Sequence, residues 1–570
     1  MPRAARLSLC LLLWTALPAA AAGLRLDTRL DSLAGSGWEA RGIVAALHWS
    51  GPQAAVTLDV ERLTLPGAAA APLVLTGLHV DCPEAAVTAA IACPQGRLRV
   101  ADFRGDALAG VLGFTYDPAG GGVDFTLEDL PLAGGRVAAA GRIGQQGWEL
   151  RLSSPAVDAA ALARLLQALL AWPLEGLDSR GRISLNVVLS GRGAGLDLAR
   201  IQATGRGLTF SAAGGRYAAE GLGARLDGHW HFAAPGGRFT ADLRLSGGQL
   251  YLEPLLFDPS AQGAVAVRAD GRLDGDRLRL ASLRLSHDGV LKAAGALDLR
   301  LAGGGVLDSL DLRIGEARFP AAYNIYLQPF LPGTVAGDLQ TGGRLAGEVK
   351  MTRQGVQSLA FDLTGLDLED AAGRFGVSGL DGRLAWRRDA AAQRSTLGWD
   401  AGHVYRLALG GGSLALESEG FAFRLPQRTR IALLDGAVVI DRLEGQGLDK
   451  ALRWQFDGRV EPVSLAALSA ALDWPRLAGT LAGEMPNVRY ADTVLEVGGA
   501  LRVQVFDGEI AVRNLRVEQP LGVVPKVFAD LELRGLDLLA LTRTFDFGRI
   551  EGRLEGHVHN LRMESWQPVA

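Results

Sequence analysis

The chain has 570 residues, 48% of them hydrophobic but only 6% aromatic, with 75 glycines and a formal net charge of −4. That apolar content excludes a disordered chain, and so small and negative a charge excludes the basic footprint of a nucleic-acid binder. Dense glycine among alternating Val, Leu and Ile points to many short strands joined by tight turns.

Arg3 and Arg6 open the chain, followed by an apolar run from Leu7 to Leu17, Pro18 and the small residues Ala19 to Ala22 before Gly23. This is the layout of a secretory signal cleaved close to Ala22, so residues 1–22 are set apart as a leader and the mature chain is expected in the periplasm. The run is short for a spanning helix, which needs about 20 apolar residues. Because the alanines extend it, retention as an inner-membrane anchor is the alternative. Cys10 leaves with a cleaved leader, and Leu9 stands where a lipoprotein site would need a small residue. Cys82 and Cys93 remain, each followed by proline and separated by ten residues. Flanked by the strand-like VLTGLHV and GRLRVADF, they suit a disulfide across a loop, worth roughly 3 kcal/mol on loop-entropy grounds. A metal site would need a histidine or a third cysteine close by in the sequence.

From Gly23 onward strand follows strand. FTADLRL at Phe239 to Leu245, RLRL at Arg277 to Leu280 and LRVQV at Leu501 to Val505 alternate apolar and polar residues. The alternation puts Leu243, Leu245, Leu278, Leu280, Leu501, Val503 and Val505 on apolar faces, with arginines opposite, and makes them candidates for the lining of a groove. Gly247-Gly248, Asp274-Gly275, Gly303-Gly304-Gly305, Gly410-Gly411-Gly412 and Asp507-Gly508 read as turns that cut the runs at roughly 8 to 12 residues. A parallel α/β protein would need a helix of about 10 residues or more between each pair of strands. The expected fold is therefore dominated by β structure: an elongated, curled antiparallel sheet that forms an apolar groove, with a few short helices.

Those helices belong to a unit that recurs four times, a short apolar run followed by a Gly-spaced alternating strand. Val157 to Trp172 leads into LEGLDSRGRISLNVVLSG, and Ala321 to Phe330 into VAGDLQTGGRLAGEVK. Val463 to Trp474 leads into LAGTLAGEMPNVRY, and Leu536 to Phe545 into IEGRLEGHVHNLRM. The uneven spacing marks joints in one β structure rather than identical solenoid coils. With Pro155, Pro320 and Pro462 as soft boundaries, the mature chain divides into segments 23–155, 156–319, 320–461 and 462–570. The first joint, with Val157, Ala160, Ala161, Leu165, Leu166, Leu169 and Leu170, has the broad apolar surface of a helix that plugs the end of a sheet. Its polar side lacks the Lys and Arg density of a membrane-surface helix. The last segment stops within a strand pattern, as a truncated chain would.

Several motifs invite a chemical reading. Leu245-Ser246-Gly247-Gly248-Gln249 spells the signature loop of ABC-type ATPases, but none of Lys292, Lys350, Lys450 and Lys526 follows a glycine, so the phosphate cradle that loop requires is missing. The loop reads as a turn, and neither nucleotide nor other cofactor is expected. His229 with His231, and His557 with His559, place imidazoles on one face of a strand, yet no adjacent cysteine or carboxylate cluster completes a third ligand, so no metal is expected. Ser378 in FGVSGL is not a nucleophile elbow, since its following glycine comes one residue too early. With carboxylates dispersed and no catalytic residue identified, the chain reads as a protein that is not an enzyme.

The turn Asp507-Gly508-Glu509-Ile510 into AVRNLRVEQP, then Leu536 to Phe547 and GRIEGRLEGHVHNLRMESWQPV, resembles the C-terminal region of the AsmA-like family of bacterial envelope proteins. The match covers roughly Val497 to Ala570, and strand-turn texture carries it more thinly over the rest. The resemblance implies a repeating β-groove that conducts phospholipids between the inner and outer membranes of a Gram-negative envelope and sustains outer-membrane lipid homeostasis. Its partners would be phospholipids and components of both membranes. Members usually keep an N-terminal anchor, from which a cleaved leader would depart. Two alternatives share the alternation: a structural or adhesin-like periplasmic or surface β-sandwich array with closed faces, and an outer-membrane β-barrel. The barrel is disfavoured by the few Tyr and Trp available for interfacial girdles.

Overall fold

A computed structural model describes residues 24–569 except 36–37, 51–52, 66–71, 171–177, 194, 213, 234–235, 303–304, 390, 448–450, 523, 547 and 565–566. The expected leader at residues 1–22, the Gly303-Gly304 part of one expected turn and Trp172 lie outside the described residues. Strand accounts for about 75% of the described residues and helix for only about 7%, which is the β-dominated fold with short helices that the alternation predicts. The chain divides into two units, the first ending at Gly275 and the second running from Asp276. Within each unit strands pair antiparallel, mostly with their neighbours in sequence, so each sheet is a meander. No helix among the described residues is long and apolar enough to cross a membrane.

Most strands run 10 to 17 residues, longer than the glycine spacing predicts, because many glycines sit inside strands. Gly410-Gly411-Gly412 is one such correction: it lies within the strand Leu407–Glu419 rather than in a turn. Gly412 leaves room for the Trp399 ring, whose Nε1 donates to the Gly410 carbonyl at 3.0 Å, while a side chain at Gly410 or Gly411 would crowd Ala432 or the Asp400 backbone. Elsewhere the register slips at a bulge. In the strand Arg277–His287 the slip between Leu280 and Leu283 keeps Leu278, Leu280, Leu283 and Leu285 on one face, where an unbroken strand would have turned the last two outward.

All four expected joints are helical. They are α1 (Ala159–Leu170), α3 (Ala321–Tyr326, continued by the 3₁₀ turn Gln328–Phe330), α4 (Leu465–Leu472) and α5 (Leu538–Thr544), with a single turn, α2 (Pro259–Gln262), in addition. Three of them start alike. A buried aliphatic residue, Val157, Val463 or Leu536, each 1% exposed, precedes a cap whose side chain accepts from a first-turn amide. Those bonds are Asp158 Oδ1 from Ala161 N at 2.9 Å, Ser464 Oγ from Ala467 N at 3.1 Å and Asp537 Oδ1 from Ala540 N at 2.8 Å. Pro155 and Pro462 sit just upstream, where the ladder slips and no amide is needed.

Two stretches of the second unit, the described residues of 457–491 and of 530–564, repeat one another in register. An interval of 73 residues separates Asp457 from Asp530, Ser464 from Asp537, Ser469 from Thr542 and Asn487 from Asn560. Each pair does the same work. Ser469 and Thr542 are buried hydroxyls that donate to the helix carbonyl three residues back. The carboxylates of Asp457 and Asp530 accept from the left-handed Asn487 and Asn560 amides on the adjoining strand, at 2.7 and 2.8 Å.

The second unit also curls onto itself. Tyr405 donates to the Pro520 carbonyl at 2.7 Å and Arg374 Nη1 to the Leu521 carbonyl at 2.9 Å, closing contacts between residues 115 and 147 positions apart. Arg374 is held by Asp370, which is 2% exposed and accepts from Arg374 Nε at 2.8 Å and from its backbone amide at 3.0 Å. The guanidinium keeps the Asp370 carboxyl below the ordinary carboxylate range. Beside this clasp, His403 presents Nδ1 to the Tyr405 carbonyl at 2.8 Å and Nε2 to Glu369 at 2.9 Å. With acceptors at both nitrogens, Glu369 foremost, its pKa is raised.

In the first unit Cys82 and Cys93 are bonded as expected, with Cα atoms 6.1 Å apart, inside a buried cluster with Leu47, Ala54 and Ala85. Replacing both cysteines with alanine is expected to cost about 3 kcal/mol in denaturant unfolding. The native chain should take up a thiol reagent at these positions only after unfolding and reduction, as read by intact mass.

Arg374→Ala leaves Asp370 buried without its cation, and a loss of about 3 kcal/mol is expected, with faster amide exchange at Leu521 and Gly522. The histidine beside it gives a pH signature. Its raised folded value means that its contribution is complete below the ordinary value of about 6.5 and fades as pH rises through the folded value. His403→Ala should therefore destabilise more at about pH 5.5 than at about pH 9 in urea titrations.

Candidate functional site

The two faces of each sheet differ in chemistry. One carries cross-strand ion pairs: Asp124 with Arg142 and Asp242 with Arg268, each at 2.5 Å and directly opposite in register. Asp298 receives Arg277 at 2.5 Å and Arg279 at 3.5 Å, and the bond from Arg277 holds its carboxyl below the usual range. Such exposed pairs add little stability singly, but opposite charges in register stop the rows from repelling.

The other face is aliphatic, and the seven candidate residues fall on it in two groups. Leu243, Leu278, Leu280, Leu501 and Val503 are half-buried along their strands, whereas Leu245 and Val505 are 6% and 4% exposed. Position explains the difference. Val505 ends its strand at the edge where Gly479, Gly508 and the α4 and α5 connections lie, and it packs with Leu465 of α4 and with Leu536. Leu245 likewise ends its strand, beside a turn that α2 holds through Gly248 N donating to Ser260 Oγ at 2.8 Å. Helices thus close the apolar face at one edge and leave the middle of the strands open. Leu501 joins the cluster of Val460, Val463, Met485 and Val488, while Val503 and Val505 join the next, so these three form one continuous strip.

At the opposite edge of that strip the lining turns aromatic. Trp454 stacks on Tyr490 with centroids 5.4 Å apart and on Phe456 at 5.9 Å. With Phe423 across the sheet, Trp454 and Tyr490 border an open cavity of about 600 Å³ rimmed by Arg424, Arg453 and Arg489. The first unit has a comparable hollow of about 770 Å³, lined by Phe114, Phe125 and the disulfide residue Cys93. Sequence reading missed both, because no short motif marks residues that meet only across strands.

The remaining motifs take plain structural places. In the LSGGQ stretch Gly247 and Gly248 turn the chain with φ of 72° and 65°, and Gln249 Nε2 donates to Asp258 at 2.8 Å. His229 and His231 are exposed, with His229 3.6 Å from Asp227. His557 and His559 are exposed too, their rings stacked 6.1 Å apart. Among the described residues no group of three or more His, Cys, Asp or Glu side chains could hold a metal. Ser378 lies within the strand Phe375–Arg387, its hydroxyl 3.4 Å from the Ala401 carbonyl.

Compared with known proteins, the chain matches no protein-family model and no curated sequence.

The division into closed edge and open strip predicts unequal costs for the same truncation. Leu465→Ala, in a cluster where Leu465 is 3% exposed, should cost about 2–4 kcal/mol. Leu280→Ala, on the half-buried strip, should cost about 1 kcal/mol, because less surface returns to water. Urea unfolding of the two variants checks the ratio.

Proposed function

We propose that this protein carries phospholipids between the inner and outer membranes of a Gram-negative envelope, with acyl chains lying on the apolar face of its sheets. The observation that carries this reading is the half-buried state of Leu243, Leu278, Leu280, Leu501 and Val503. An aliphatic face left partly open along a sheet calls for a cover, and a ligand with hydrocarbon tails supplies one.

The chemistry suits a carrier. Each buried CH₂ contributes about 0.8 kcal/mol, so part of an acyl chain on such a wall is held reversibly. An aliphatic lining offers no hydrogen bond that would fix one position, and a chain can slide from strand to strand. An outer-membrane barrel would turn the same aliphatic face to lipid and the charged face to its lumen, and it is the few Tyr and Trp for interfacial girdles that disfavour it.

Photo-crosslinking side chains placed at Leu278 and Val503 should capture phospholipid, identified by lipid mass spectrometry, while Arg279 and Arg502 as outward controls should not. Equal labelling from both faces, or none from the inward pair, overturns the proposal. Leu280→Asp should reduce captured lipid while the protein still melts cooperatively. In a closed sandwich the same change would bury an unpaired charge and cost several kcal/mol, and a collapsed transition would favour the structural-array reading.

A further inference from the structure

We propose that the strand Leu24–Gly35 is a self-association edge, pairing antiparallel with the same strand of a second copy. Among the described residues this strand pairs only with Trp38–Ser50, and its register with that neighbour runs from Leu24 to Gly35 without a bulge. Its other edge presents a row of backbone donors and acceptors. Exposed edges are normally blunted by proline, bulges, shortness or charged side chains, lysine above all, and the charges of this strand are two Arg and two Asp that can pair with one another across a two-fold axis. This strand has 12 residues, no proline, no lysine and no bulge.

The sequence of the edge fits itself. With a two-fold axis at Thr28, Leu26 faces Leu30 of the second copy, Asp27 faces Arg29, and Arg25 faces Asp31. By symmetry each contact occurs twice. Moving the axis one residue either way sets Arg25 against Arg29 or Asp27 against Asp31, and a half-step turns leucines toward the charged face. Charge and side-chain alternation therefore choose one register out of several.

The apolar face gains from the same register. Leu26 and Leu30 lie opposite Leu47 and Ile43, both 8% exposed, yet are themselves 43% and 39% exposed, as is Leu24 at 40%. Pairing residues 24–32 of two copies along about 30 Å covers the open side of these leucines and continues the aliphatic face from one molecule into the next. A second copy is thus the occupant whose charges, alternation and leucines all match.

The test uses the full chain, in which Cys82 and Cys93 are already bonded to each other. Thr28→Cys lies on the axis and should form a covalent dimer under mild oxidation. Arg25→Cys alone should form little, but should form a mixed dimer when combined with Asp31→Cys. In sedimentation velocity the wild type should reach a dimer. Asp27→Arg and Arg29→Asp should each weaken it roughly ten-fold, and the double reversal should restore it, because two repulsive contacts become attractive again. The cysteine arms keep the result independent of how the charge variants fold. A wild type that stays monomeric at every concentration overturns the proposal, whether residues before Leu24 or another protein occupy the edge. Equal cross-linking at positions 25 and 28 also overturns it, as does a double reversal no better than the single changes.

Discussion

Everything in these sheets depends on holding leucine and valine to one face of long strands that twist. An extended strand alternates its side chains strictly, while a twisting meander accumulates mismatch between neighbours until the ladder must slip. A slip of one residue would turn the apolar set outward. The chain absorbs the mismatch with bulges, where an extra residue restores the face. Gly343 and Gly365 show what this requires. They sit side by side at slips in paired strands with φ of 90° and 52°, and a Cβ on Gly343 would run into the Gly365 backbone. Much of the glycine content is therefore a condition for alternation rather than punctuation between strands.

Left-handed bulges leave an amide aimed out of the ladder, and aspartates on the next strand take it up. Gly365 N donates to Asp381 and Gly379 N to Asp367, both at 2.9 Å, in the way Asn487 and Asn560 donate to Asp457 and Asp530. Asparagine replaces glycine at two of the four positions because it tolerates positive φ better than other side chains. One local solution, a left-handed residue answered by a carboxylate across the sheet, thus recurs where the register is corrected. It also accounts for carboxylates that sequence reading could only call dispersed.

The parts legible in sequence were those written in local alternation: the faces of Arg277–Leu280 and Leu501–Val505, the four helical joints, and the Cys82–Cys93 pair flanked by two strand-like runs. What escaped was written across strands. The 73-residue interval shows only in part as identity: Asp457 matches Asp530 and Asn487 matches Asn560, but Ser464 corresponds to Asp537 and Ser469 to Thr542, pairs that share a hydrogen-bonding role without sharing a residue type. Tyr405 and Arg374 reach Pro520 and Leu521 only once the second sheet has curled. Gly410 to Gly412 misled because three glycines read as a turn, and only the close neighbours across the ladder, Ala432, the Asp400 backbone and the Trp399 ring, show why a strand needs them.

An open aliphatic face creates a problem of stability that the second unit resolves at its edges. Half-buried leucines along the strip return less free energy than a packed core would, so the sheet must be held elsewhere. The dry clusters are concentrated where α4 packs on Leu481, Val505 and Leu536, where Val460, Val463, Met485 and Val488 meet, and where Asp370 and Arg374 clasp the curl. Stability and openness are thus assigned to different residues of the same strands. Val505 is fixed beneath a helix while Val503, two positions away, stays half-buried at the margin of the same cluster. On the proposed reading, this separation would let a surface hold hydrocarbon weakly without the fold depending on what is bound, which is what a wall for passing ligands needs and a core does not.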